Sequence, residues 1–238
     1  MRKISLFINS YILCLLVFSV QAQKTAKVLE VDSIPFFNGI HLQGDAASAI
    51  SSAISTKGNY SYEAGIQVDL KHKYFPVLEV GYAKINETSS SNISYQTQGL
   101  FERLGIEFNL ISPKKDSKRT TNLFLVGVRV GMSNFNYNIN NAIIADNYWG
   151  GSETVNYSDI LVTKLWYEIS AGVRVEIIKN IFMGWSVCSK SLINQDATGN
   201  PTPASIPGFG NTSGSNWGFK YTIGYKIDIH SKILNKKK

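Results

Sequence analysis

The sequence has 238 residues, 44% of them hydrophobic, and a formal net charge of +7, and this length fits a single β-barrel or sandwich. Its two cysteines, Cys14 and Cys188, exclude a framework of several disulfides. The basic charge does not indicate nucleic-acid binding, because no motif combines aromatic and basic residues. Solubility and attraction to anionic lipid head groups explain the charge more simply.

Residues 1–22 have the layout of a secretory signal peptide. Arg2 and Lys3 precede an apolar stretch at 4–20, and the small residue Ala22 marks the expected cleavage site. An uncleaved anchor helix is the alternative, which the short and interrupted apolar stretch disfavours. After cleavage we expect a periplasmic N-terminal segment at 23–36, a barrel at 37–230 and a basic tail at 231–238.

Beyond the signal segment, the strongest pattern is an alternation of apolar and polar residues with a period of two. This period is typical of strands whose two faces differ chemically, and no helix longer than the signal segment is indicated. The alternation predicts eight strands, at about 38–48, 59–70, 76–85, 98–110, 123–133, 162–177, 181–191 and 216–229.

The connections between these strands alternate in length. The three shorter ones are at 71–74, 111–121 and 177–180. The four longer ones are at 49–58, 86–95, 134–157 and 193–215. In chain order, the short and the long connections fall on opposite ends of the strands. In an outer-membrane barrel the short turns face the periplasm and the long loops face outward.

The polar face of the strands carries most of the glycines and charges of both signs. Glycine weakens a strand that faces solvent, whereas in a narrow barrel it makes room for large neighbours. Charges buried in such an interior must pair. The sequence therefore predicts an interior ionic network with a structural role, formed by Glu63, Glu79, Arg103, Glu107, Arg129, Glu168, Arg174 and Lys220.

Aromatic residues on the apolar face lie near both ends of the strands. Those near the outer end are Tyr60, Tyr62, Tyr82, Trp217, Phe219 and Tyr221, and those near the inner end are Phe108, Phe124 and Tyr225. Such girdles are typical of the two membrane interfaces. We therefore expect an all-β, eight-stranded antiparallel transmembrane barrel in the outer membrane. A soluble periplasmic barrel or sandwich that acts as a binding module is the alternative.

Four stretches resemble a family of uncharacterised outer-membrane β-barrel proteins from Bacteroidetes. They are residues 74–84, residues 171–175 followed by Lys179-Asn180, residues 183–187, and residues 206–210 leading into 217–225. The resemblance covers most of the chain after the signal segment and implies an outer-membrane location and a barrel fold. The family is a domain of unknown function, so the resemblance supplies no substrate and no catalytic residue.

Catalysis by a small barrel would require a nucleophile or an activated water with a general base beside it. His41 and Asp45 project to the same side of the first strand, but an interior histidine satisfied by hydrogen bonds is the simpler interpretation. His72 and His230 have no evident partner in the sequence. We expect a non-enzymatic protein without catalytic residues, with a lipid-modifying outer-membrane enzyme as the alternative.

Ligand-binding motifs are also missing from the sequence. No cysteine–histidine cluster has metal-ligand spacing and no Asp-rich calcium loop occurs, so we expect neither metal nor cofactor. Cys188 faces the interior, where we expect its side chain to be buried and to fill space rather than to act as a reactive thiol. Water-filled pores usually have about twice as many strands, so we expect no open channel, and any conduction would be slow or confined to a minor conformer.

The two longest connections carry a high density of apolar and aromatic residues, namely Phe135, Tyr137, Ile139, Ile143, Ile144, Tyr148, Trp149, Ile206 and Phe209. Exposed residues of this kind indicate a binding surface, with Tyr148, Trp149 and Phe209 as predicted contacts. The expected partners are outer-membrane lipid and an extracellular protein or glycan. The alternative is that residues 135–139 simply extend the fifth strand above the membrane.

Overall fold

The computed structural model describes residues 35–111, 122–146, 150–193, 201–212 and 216–229. The predicted signal peptide, most of the predicted N-terminal segment, His230 and the basic tail lie outside these residues. Within them, eight strands form a closed antiparallel barrel, which confirms the predicted fold class. The barrel strands are β1 (Phe37–Asp45), β2 (Tyr60–Leu70), β3 (Tyr74–Thr88), β4 (Ser94–Asn109), β5 (Leu123–Asp146), β6 (Gly151–Ile178), β7 (Ile181–Leu192) and β10 (Trp217–Asp228).

Neighbours in sequence pair along the barrel from β1 to β7, and β10 pairs with β7 on one side and with β1 on the other. The closing register runs from Gly39 opposite Asp228 to Asp45 opposite Thr222. Two short strands, β8 (Ser205–Ile206) and β9 (Gly210–Asn211), pair with each other in a separate sheet that does not join the barrel strands. The fold therefore has a continuous wall and one small additional hairpin.

The outer wall of the barrel is mostly apolar, with Glu102 as an exposed acid on β4. Leu104 on β4 is 66% exposed and Val130 on β5 is 53% exposed, and Ile169, Trp185 and Phe219 are exposed in the same way on other strands. Burying one such side chain stabilises a protein by roughly 1.5–3 kcal/mol, so a continuous apolar wall is unfavourable in water. The wall is suited to a non-aqueous surrounding.

Glycines on the inner face make room for large side chains. A Cβ at Gly131 would overlap the indole of Trp166, and a Cβ at Gly81 would overlap the ring of Phe101. The sequence interpretation expected charged neighbours at the glycines, but at these two positions the neighbours are aromatic. Glycine content therefore marks the narrow interior without showing which side chain fills it.

The prediction of a long loop at 134–157 is wrong. The alternative, in which residues 135–139 extend the fifth strand, is correct, and the strand continues beyond them to Asp146. β5 has 24 residues and β6 has 28, and their pairing continues to Asp146 opposite Gly151. The alternation persists beyond residue 133 with reversed polarity, because Phe135 and Tyr137 are buried while Asn134 is exposed. Asparagines at every second position made this segment look like a loop.

Residues 46–54 are also different from the prediction, which gave them to the end of a strand and to a loop. They form helix α1 (Ala46–Ile54). Asp45 caps the helix, because its Oδ1 accepts hydrogen bonds from the backbone N–H groups of Ala47 at 3.0 Å and Ser48 at 3.4 Å. The connection predicted at 86–95 is shortened to residues 89–93. Within the part of the chain that the structure describes, no helical segment has the length and hydropathy of a membrane span.

Candidate functional site

The eight residues predicted to form an interior ionic network lie inside the barrel and connect to one another; we call them the ionic layer. Arg103 contacts three carboxylates, with its Nε 3.1 Å from Glu79 Oε2, its Nη1 3.3 Å from Glu168 Oε1, and Glu63 paired at its other nitrogen. Its side chain is only 2% exposed. Because these carboxylates come from three different strands, Arg103 joins β2, β3 and β6 across the interior.

The other three cations of the ionic layer complete the connections. Arg129 pairs with Glu107 and lies 3.8 Å from Glu79. Arg174 Nη2 lies 3.6 Å from Glu107 Oε2. Lys220 pairs with Glu63 and lies 2.8 Å from Glu79 Oε2. Each carboxylate therefore meets at least two cations, which offsets the large cost of burying charge.

Neutral and further charged groups belong to this network, although the prediction omitted them. Gln67 Nε2 donates to Glu107 Oε2 at 2.6 Å, and Gln67 Oε1 accepts from Arg174. Lys190 lies 3.9 Å from Glu168 Oε1. Both residues belong to the polar stripe of the sequence, but alternation does not show which polar residues approach the charges from across the barrel.

A second cluster surrounds the carboxylate of Asp69 near the inner end of the barrel. His72 Nδ1 lies 2.8 Å from Asp69 Oδ2, and Asp69 Oδ1 accepts hydrogen bonds from the His72 backbone N–H and from Asn38 Nδ2. His41 lies 4.0 Å from the same carboxylate, with its ring against the rings of Phe75 and Phe182 at centroid distances of 6.0 and 5.1 Å. Two imidazole rings therefore lie beside one buried carboxylate.

This arrangement corrects two expectations about the histidines. Asp45 does not join His41, because its carboxylate caps α1 at the other end of β1. His72 does have a partner, namely Asp69, which precedes it by three residues across the tight turn. The absence of catalysis remains a prediction, because none of these contacts tests it.

Above the ionic layer, the interior is filled by an outer aromatic cluster, which consists of Ala83, Tyr95, Phe101, Phe135, Tyr137, Trp166, Ile206 and Phe209. Trp166 connects this cluster to the ionic layer, because its Nε1 donates to Glu168 Oε1 at 2.7 Å. Its ring also meets Phe209 at a centroid distance of 5.8 Å. Trp166 and Glu168 are successive inward residues of β6, so the interior changes from aromatic to ionic between these two positions.

Two members of the outer aromatic cluster come from residues 201–212, which we call the lid. Tyr95 Oη donates to the carbonyl of Ser205 at 2.7 Å. Lys190 Nζ donates to the carbonyls of Gly208 at 2.7 Å and Phe209 at 3.2 Å. Since these donors lie on β4 and β7, the lid is held from two sides of the mouth.

The lid and the ionic layer leave little space inside the barrel. A cavity of about 20 Å³ remains beside Glu79, Glu107, Arg129, Arg174 and Lys220. This volume has room for about one water molecule. At this level, the described interior is filled by side chains.

The predicted loop contacts have different outcomes. Phe209 is only 3% exposed, so the expectation that it faces a partner is wrong, and Phe135, Tyr137 and Ile206 are buried with it. These side chains fill the mouth of the barrel because they lie on its inner face. Tyr148 and Trp149 lie outside the described residues. Ile143 and Ile144, by contrast, are exposed, at 57% and 50%.

Among the described residues, no group of three or more His, Cys, Asp and Glu side chains has an arrangement that could hold a metal ion. The expectation of no metal and no cofactor remains a prediction. Cys188 is a buried free thiol on the inner face of β7. A Cβ on the neighbouring Gly218 would crowd its Sγ at 2.7 Å, so the thiol fills its space closely.

The family model described as Domain of unknown function (DUF6048) matches residues 4–232. The chain belongs to this family. The match spans almost the whole DUF6048 chain, including all eight barrel strands. A comparison with curated proteins finds no match.

Several solved structures are similar to the DUF6048 chain. The N-terminal β-barrel domain of OprF from Pseudomonas aeruginosa is 11% identical, with 80% of this chain and 98% of that one covered and a TM-score of 0.38. Ail of Yersinia pestis, solved with the heparin analogue sucrose octasulfate, is 9% identical, with 80% and 95% covered and a TM-score of 0.37. Neisserial surface protein A (NspA) is 10% identical, with 81% and 96% covered and a TM-score of 0.32. The strand pairing of this chain, rather than these distant similarities, establishes its fold.

Proposed function

We propose that this DUF6048 protein is an outer-membrane barrel, sealed to solutes and non-enzymatic, that presents its β5–β6 hairpin outside the cell as a binding surface. Export through the predicted signal peptide is part of the proposal, as is the Bacteroidetes origin that the sequence resemblance implies. The partner of the hairpin is an extracellular protein or glycan.

A reversal of polarity along β5 carries this proposal. From Phe124 to Met132 the outward side chains are apolar, and the inward positions include Arg129 and two glycines. From Asn134 onward the outward residues are asparagines and the inward ones are Phe135 and Tyr137. Hydrocarbon favours the first arrangement and water favours the second. The reversal point thus marks the surface of the bilayer.

The lengths of the strands support a projecting hairpin. A strand crosses a bilayer with about 9–11 residues. β5 and β6 have 24 and 28 residues, so about half of each extends beyond the bilayer. The extension carries exposed Ile143, Ile144 and Leu161, the last at 65%. An exposed apolar group on a polar hairpin is a feature of surfaces that bind partners.

Fractionation and gel migration test the location. Wild-type protein should enter the membrane fraction and should migrate differently in SDS gels with and without boiling. On intact cells, a membrane-impermeant maleimide should label a Thr154→Cys variant on the hairpin and should not label a Lys179→Cys variant in the inner turn. Recovery in the aqueous fraction without detergent, or the opposite labelling, would refute the proposed location.

A shortened hairpin tests the binding role. Ala142 and Val155 lie opposite each other, so residues 143–154 can be replaced by an Asn-Gly turn without disturbing the barrel. Cells with the wild-type protein should bind immobilised extracellular proteins or a glycan array, and cells with the shortened hairpin should lose this binding while the barrel still folds. Identical binding by the two would contradict a role for the hairpin.

A further inference from the structure

A group of aromatic and polar side chains lies together on the outer wall, at the rim of its apolar region. Strand register places Tyr60 opposite Lys84 and Lys84 opposite Gln98. Gln96 is the next outward position on β4, two residues from Gln98, and Tyr82 is the next on β3 below Lys84. We call these five residues the rim patch.

The aromatic part of the rim patch is ordered by ring contacts. Tyr60 and Tyr82 stack with a centroid distance of 6.1 Å and an interplanar angle of 22°. Tyr62, which is 55% exposed, lies 6.0 Å from the ring of Tyr60. Three tyrosines therefore form one aromatic surface beside Lys84.

The polar part of the rim patch has unsatisfied hydrogen-bonding capacity. Lys84, Gln96 and Gln98 make no side-chain hydrogen bond or ion pair with any of the residues that the structure describes. Each amide can donate two hydrogen bonds and accept two more, and the ammonium can donate three. Asn86 Nδ2 donates to the backbone carbonyl of Lys57 at 3.1 Å, which brings a second lysine to the same rim.

The position of the rim patch relates it to the lipid boundary. Towards the inner end, the next outward residues beyond the tyrosines are Ala64 on β2 and Val80 on β3, both in the apolar wall. On β4, Gln98 is followed by the outward residues Leu100, the exposed acid Glu102, and Leu104. Towards the outer end, the next outward residue on β3 is the polar Asn86. Tyrosine and lysine at such a boundary place their apolar parts in the acyl region and their polar ends at the head groups.

We propose that the rim patch binds the head group of a phosphorylated glycolipid in the outer leaflet. The ammonium of Lys84 pairs with a phosphate, the amides of Gln96 and Gln98 bond to sugar hydroxyls, and the tyrosines pack on the sugar and the first acyl carbons. The two amides follow each other about 7 Å apart along β4, a spacing that serves a head group with several hydroxyls. This inference rests on the proposed function, because it requires that this rim faces the outer leaflet.

Native mass spectrometry of the full-length protein, purified in an uncharged maltoside detergent, tests the assignment. Three lipids are added in turn: a phosphorylated glycolipid, the same glycolipid without phosphate, and phosphatidylglycerol. Wild-type protein should retain the phosphorylated glycolipid best. Lys84→Gln should weaken its retention about fivefold, and Gln98→Ala should weaken it about two- to tenfold while leaving phosphatidylglycerol unchanged.

A matched control comes from the opposite rim, where Lys73 Nζ lies 5.4 Å from the ring centroid of Tyr74. Lys73→Gln should leave glycolipid retention unchanged. The inference is overturned by equal loss from Lys73→Gln, by unchanged retention in Lys84→Gln, or by equal retention of phosphatidylglycerol. Fractionation of the wild-type protein separates the two proposals. Recovery in the aqueous fraction refutes the proposed location. Recovery in the membrane fraction without a preference for the glycolipid refutes only glycolipid binding by the rim patch.

Discussion

The indole of Trp166 donates a 2.7 Å hydrogen bond to the carboxylate of Glu168, two residues along β6. Both side chains point into the barrel and are buried. One residue belongs to the outer aromatic cluster and the other to the ionic layer, so the bond couples the two halves of the interior. Changes in either half should therefore affect the stability of the whole barrel.

Replacing Trp166 by phenylalanine tests this coupling. The variant keeps an aromatic ring but removes the donor to Glu168, which should cost about 1–3 kcal/mol. Urea unfolding, followed by the loss of the unboiled gel species, measures the cost. Trp185→Phe on the exposed wall is the control and should have a much smaller effect. Equal losses from the two variants would contradict the role of the bond.

The close approach of Gly131 to Trp166 leads to a second prediction. Gly131→Ala places a methyl group where the indole lies, so overpacking should destabilise the barrel by about 1–3 kcal/mol. Gly44→Ala is the matched control, because the nearest atom to its Cβ would be the Glu63 carbonyl oxygen at 3.7 Å, an ordinary contact. The same urea assay compares the two, and the prediction fails if Gly131→Ala is as stable as Gly44→Ala.

The ionic layer should respond strongly to loss of one cation. Arg103→Met leaves Glu63, Glu79 and Glu168 without their shared partner, which should cost about 3–5 kcal/mol. Adding Glu63→Gln should restore part of this loss, because it removes a buried carboxylate that has lost one of its two cationic partners and keeps only Lys220. A double-mutant cycle measures the coupling. Strict additivity of the two changes would show that the pair does not interact.

Two substitutions on the outer wall distinguish lipid from water around the barrel. Val128→Arg should cost about 2–4 kcal/mol if the site lies at mid-bilayer. Glu102 is an exposed acid between the outward residues Leu100 and Leu104 on β4, so Glu102→Leu should stabilise a lipid-embedded barrel. Unfolding in lipid bilayers measures both. A wall surrounded by water would instead tolerate the exposed arginine with little loss of stability, and the added leucine would promote aggregation without stabilising the barrel.

The lid should loosen when its cationic anchor is removed. Lys190 Nζ donates to two lid carbonyls, so Lys190→Met should raise the population of open lid about tenfold. Limited proteolysis from outside reports this population as a cleavage rate within residues 201–212. Lys179→Met in the inner turn is the control. An unchanged cleavage rate in Lys190→Met would show that the other lid contacts suffice.

Much of the barrel wall could be predicted because alternation is a local property of a strand. Leu104 and Arg103 are neighbours in sequence, and a strand must send them to opposite faces whatever surrounds it. The same rule placed all eight charges of the ionic layer on one stripe. The alternation rule failed for α1, where the side chain of Asp45 accepts hydrogen bonds from the backbone N–H groups of the next residues and the strand ends.

The sequence by itself determined the number of strands, their faces and the sign of each interior charge, since these depend on residues one or two positions apart. Only the tertiary structure decided which charged side chains contact each other, because Lys220 reaches Glu63 only when the barrel closes. Closure of the barrel also explains why Phe135 and Phe209 are buried. The first lies on the inner face of a strand that continues above the polarity reversal, and the second folds back into the mouth, where both lose contact with water.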